Sequence, residues 1–75
     1  MTYQEKMLLW KQYPQVWEMF VEFNDITQED GDAWKRLVDR ADQINDAYRL
    51  PVVKQLLIET VGQLEKISRK RGGYR

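Results

Sequence analysis

Twelve of the twenty-one residues from Tyr3 to Phe23 are apolar, and they recur at the three- and four-residue spacing of an α-helix without period-two alternation. Thr2 and Glu5 open this stretch with a capping-box pattern, in which hydroxyl and carboxylate each satisfy a backbone donor at a helix start. Pro14 interrupts it, because a mid-helix proline lacks an amide hydrogen and clashes with the preceding turn. The pattern predicts two helical segments, at about 3–12 and 14–25. The stretch NDITQEDGD, Asn24 to Asp32, has turn chemistry and no apolar period beyond Ile26, so it reads as the longest connection, with Asp30 or Asp32 capping the next helix.

From Ala33 the apolar positions Ala33, Trp34, Leu37, Val38, Ala41, Ile44 and Tyr48 fall within a single helical arc of roughly 140°. Lys35 and Asp39, on the opposite face, stand at a spacing where opposite charges can pair. Leu50 precedes a proline and is pushed out of helical geometry, so a short corner forms there and Pro51 opens the last helix. That helix sets Val52, Val53, Leu56, Leu57, Val61, Leu64 and Ile67 on one side and leaves Ile58 off it. Gly62 sits in its middle, a place for a close helix approach. The expected fold is all-α: a compact up-down bundle of three helical arms, the first broken at Pro14, making three to four helices. Residues 1–75 form one domain, with 72–75 a flexible tail.

The first arm carries more apolar surface than such a bundle needs. Wound as one helix, its apolar residues spread over more than about 200°. They form two stripes, one through Tyr3, Met7, Trp10, Trp17 and Val21, the other through Leu9, Tyr13, Val16, Phe20 and Phe23. This allows two arrangements. Either the kink at Pro14 turns both stripes toward one core, or Trp10, Tyr13, Trp17 and Met19 stay exposed and anchor a protein partner or a second copy, since aromatics and methionine concentrate in interface cores.

Composition narrows the chemistry. The chain has no cysteine and no histidine, so disulfides and structural zinc are excluded, and nucleophilic catalysis lacks its best nucleophile and its usual base. A non-enzymatic protein without metal or cofactor is expected. The acidic connection Asp25, Glu29, Asp30 and Asp32 lacks calcium-loop spacing, because Ile26 and Gln28 stand where alternating oxygen ligands would be; helix capping explains it better. There is no basic segment followed by a long apolar run, and on the first arm Glu5, Glu18 and Glu22 outnumber Lys6 and Lys11, so neither a membrane span nor a membrane surface is expected. A cytoplasmic location is expected from the lack of any such signal together with the absence of cysteine.

Net charge is zero, which argues against a protein devoted to gripping a polyanion. The charge is uneven, however: Pro51 to Arg75 holds six bases against two acids. The alternative function is therefore a small nucleic-acid-associated regulatory protein, with Lys66, Arg69, Lys70, Arg71 and Arg75 on phosphates and Tyr74 stacking on a base. The same cations also oppose the negative end of the helix dipole, and Gly72 can close the helix, so termination alone accounts for them.

Finally, DAWKRLVDRADQINDAYRLPVVKQLLIETVGQLEKI, Asp32 to Ile67, resembles small uncharacterised helical proteins encoded by phages and mobile elements of Gram-positive bacteria. The matching features are Trp34, Ala41 with Asp42, Tyr48 near the corner, and Leu64 with Glu65 in the closing helix. The resemblance implies a helical fold and a phage or mobile-element origin, and brings no activity with it.

Overall fold

In the computed structural model of this protein the backbone is described for residues 1–72 and the side chains for residues 1–70. Four helices occur in order: α1 Tyr3–Gln12, α2 Pro14–Glu22, α3 Gly31–Tyr48 and α4 Pro51–Gly72. No strand is present among the described residues. The helix α4 runs through Gly72, the first residue of the expected 72–75 tail, and residues 73–75 lie outside the described residues.

Each boundary has a local cause. The Thr2 hydroxyl accepts from the Glu5 amide at 3.2 Å while the Glu5 carboxylate accepts from the Thr2 amide at 2.9 Å, completing the capping box of α1. Tyr13, held out of helical geometry by the proline after it, ends α1 and starts α2 with φ −121° and ψ 76°. The Asp30 carboxylate accepts from the Ala33 amide at 3.1 Å and caps α3. Arg49 ends α3 in the left-handed conformation, φ 52° and ψ 39°, with its amide donating to the Asn45 carbonyl at 2.8 Å.

The helix α2 is central: it packs against α1, α3 and α4, and α3 packs against α4. Its inner face, Val16 and Met19 with Phe23 just beyond, meets Leu37 and Ile44 of α3 and Val53, Leu56, Leu57 and Leu64 of α4 in one core. Ile26, in the connection, is also buried and closes this core from the loop side.

Several expectations change. The second segment stops at Glu22 rather than near 25, where the chain turns so that both Phe23 and Ile26 point inward. Val38 and Val52, at the margins of their stripes, stay exposed, whereas Ile58 is exposed as its off-stripe position predicts. Lys35 and Asp39 form no ion pair among the described residues; Arg40 of α3 instead reaches Glu22 of α2 at 3.0 Å. A Cβ added at Gly62 would meet nothing within 4 Å, so among the described residues no other helix closes on that side of it.

Candidate functional site

The two stripes of the first arm have opposite fates. Val16 and Phe23 of the second stripe are buried, and Leu9, Tyr13 and Phe20 pack against the core. In the first stripe Tyr3 is 67% exposed, Val21 48%, Trp17 43% and Met7 41%; only Trp10 is buried, at 6%. Neighbouring Leu8 is as open as Tyr3. The kink at Pro14 therefore does not turn both stripes inward.

Two of the four expected anchors are corrected by this arrangement. Trp10 is not a free anchor, because its indole N–H donates to the Thr60 hydroxyl of α4 at 3.0 Å, a buried bond across fifty residues of chain. That bond satisfies both polar groups and ties α1 to α4. Met19 is fully buried, since it lies between Val16 and Phe23 on the inner face of α2. Tyr13 is half-buried, its ring meeting Tyr48 edge-on at 5.1 Å, so it braces α3 more than it faces outward. Of the four, only Trp17 is left exposed.

Trp17 does not stand alone. Its ring centroid lies 5.2 Å from that of Trp10 and 5.6 Å from that of Phe20, while Trp10 stacks on Phe20 at 5.3 Å. This cluster holds the exposed indole in place and leaves it little side-chain freedom to lose. Beside it lies a groove of about 420 Å³ lined by Tyr3, Met7, Trp10, Lys11, Pro14 and Trp17. Trp10 is the buried member of this lining, and the Lys11 side chain is its single charged group.

Tyr3, Met7 and Pro14 were not among the expected anchors, although a signal for them existed. Tyr3, Met7, Trp10, Pro14, Trp17 and Val21 succeed one another at intervals of four, three, four, three and four residues, the spacing of a helix-pairing seam. A second, shallower apolar groove of about 330 Å³ lies between α3 and α4, where Val38 and Ile58 are exposed over Ala41, Leu57 and Val61.

On the basic end, Lys66, Arg69 and Lys70 are exposed, and the Arg69 guanidinium lies 3.5 Å from the Glu65 carboxylate one turn earlier. The side chains of Arg71 and Arg75, and Tyr74 with them, lie outside the described residues. Asp30 of the acidic connection caps α3, and no group of three or more acidic residues converges for a metal ion among the described residues. No described helix is long and apolar enough to cross a membrane. No protein-family model, curated protein or solved structure matches the chain.

Proposed function

We propose that this protein is a non-enzymatic binding module that docks a protein surface, a second copy of itself or a foreign protein, through the outer face of α1 and α2. The observation that supports this reading is the exposed stripe of Tyr3, Met7, Trp17 and Val21 beside a groove with an aromatic floor. Large aromatic side chains that flank a groove and are already held by neighbours are the usual anchors of protein interfaces. Single exposed apolar residues are ordinary on any surface, whereas a contiguous run along one face of an arm marks a contact region. A phage or mobile-element origin, which the resemblance over Asp32 to Ile67 implies, suits either partner.

The test pairs the intact chain with a variant carrying Tyr3→Gln and Trp17→Gln, both used as bait in a lysate of the host and both weighed in solution. The reading expects the variant to keep its helical circular dichroism and to lose the proteins, or the second copy, that the intact chain retains. A chain that is monomeric and recovers the same proteins with or without Tyr3 and Trp17 contradicts it.

A further inference from the structure

The docking reading leaves the partner open, and the charges beside the seam discriminate between candidates. Residues one step after Tyr3, Trp10 and Trp17 are Gln4, Lys11 and Glu18; residues one step before Met7, Pro14 and Val21 are Lys6, Tyr13 and Phe20. In a paired seam these two flanking rows carry the charges that set partner and orientation. Lys11 and Glu18 are exposed and form no ion pair among the described residues, whereas Glu5 is occupied by the Thr2 cap and Glu22 by Arg40.

Resting on that reading, we propose that the partner is a second copy of this chain, paired antiparallel about a two-fold axis near Pro14. An antiparallel pair sets each flanking row against its own counterpart. With the axis near Pro14, Lys11 of one copy meets Glu18 of the other, and the two-fold symmetry repeats the contact. A parallel pair would set Lys11 and Glu18 against the row of Lys6, Tyr13 and Phe20, which is half-buried with its two aromatics packed on its own core and offers Lys11 no acidic partner. The one arm thus contains both halves of its own charge complement, on either side of its proline.

The shape fits the same pairing. Five of the six seam residues line the groove, so the seam is concave at the Pro14 elbow, and two concave faces need something between them. In the antiparallel register each Trp17 lies opposite the partner's Lys11 and Gln12, at the mouth of the partner's groove. Each indole fills the other's concavity, and Tyr3, Met7 and Val21 close around the pair. Zero net charge removes any overall repulsion between the copies.

The experiment is sedimentation equilibrium on the wild-type chain, Lys11→Glu, Glu18→Lys, an equimolar mixture of these two variants, and the K11E/E18K double variant. Both positions are exposed, so all forms keep the fold, which circular dichroism checks. The wild type is expected to dimerise, each single variant to dissociate on the order of tenfold more readily, and both the mixture and the double variant to regain wild-type association. A dimer that tightens in K11E overturns the proposal, because Lys11 then does not meet Glu18. A wild-type chain that stays monomeric at millimolar concentration also overturns it, while leaving the arm as a surface for a foreign protein. A dimer indifferent to all these changes and to Y3Q/W17Q overturns this pairing together with self-association through the arm.

Discussion

The helices α1 and α4 are both unmistakable as helices, yet they relate to the core in opposite ways. Half of the ten residues of α1 are apolar, and it buries Trp10 alone; α4 is apolar at only eight of its twenty-two positions. It nevertheless buries Val53, Leu56, Leu57 and Leu64, with Thr60 and Ser68 on the same face. The difference lies in what faces each helix. The α4 stripe is met by α2 and α3, so nearly every apolar side chain on it finds a neighbour. In contrast, α1 lies at the edge, packed on α2 and tied to α4 by the Trp10 indole and by the Met1 amino group, 3.3 Å from the Glu59 carboxylate, with most of its apolar surface facing away. Apolar content measures how much surface a helix needs covered, and position in the bundle decides whether this chain covers it.

Changes along α4 and α1 should therefore differ in kind as well as size. Leu56→Ala empties a fully buried site where α4 meets the rest of the core. It should cost about 2–5 kcal/mol, and thermal or denaturant melts should show loss of the whole fold. Trp10→Phe keeps an aromatic ring but leaves the buried Thr60 hydroxyl without its donor, at a cost of about 1–3 kcal/mol. Its effect should concentrate in α1, where amide hydrogen exchange should accelerate more than in α4. Equal acceleration in both helices would mean that α1 is an integral part of the core.

A smaller effect comes from acid. The Glu5 carboxyl is held below its ordinary value, chiefly by the hydrogen bond from the Thr2 backbone amide and then by the Thr2 hydroxyl; Glu59, on α4, is lowered by its bond from Gln55. Because the folded value of Glu5 lies below the unfolded one, the capping box contributes in full at neutral pH and is lost as pH falls through the carboxylate range. Circular dichroism between about pH 6 and pH 3 should show a loss of helix that Glu5→Gln suppresses by removing the titrating group. Smallest is Gly62→Ala on α4. The added methyl meets open space, so the variant should gain up to about 1 kcal/mol of stability from helix propensity alone. A loss instead would mean that a second chain approaches Gly62 in solution.

The parts of this structure written in local chemistry were legible in the sequence. Thr2 with Glu5, Pro14, Asp30 and Pro51 each fix a helix end through a group on the residue itself or its near neighbour, and each stands where the sequence places it. Long-range pairing was not legible. The burial of Trp10 depends on Thr60, fifty residues away, and nothing in the stripe of Tyr3, Met7 and Trp17 marks Trp10 as the member that turns inward. Met19 was recoverable, since it stands three residues after Val16 and four before Phe23, the spacing of one buried face. The left-handed Arg49 had no signal, because that conformation favours glycine or asparagine and the chain offers neither there.

The central claim, that the outer stripe of the first arm is surplus to the fold of one chain and is used between chains, is tested most directly by thermal unfolding across protein concentration. The comparison sets the wild type against a Y3Q/M7Q/V21Q variant, which keeps Trp17 and its ring contacts. Because association stabilises only the folded form, the wild-type midpoint should climb with concentration, while the variant's stays flat and coincides with the wild type at high dilution. A variant that is unfolded or strongly destabilised at every concentration would contradict the claim, because those side chains would then belong to the core of a single copy.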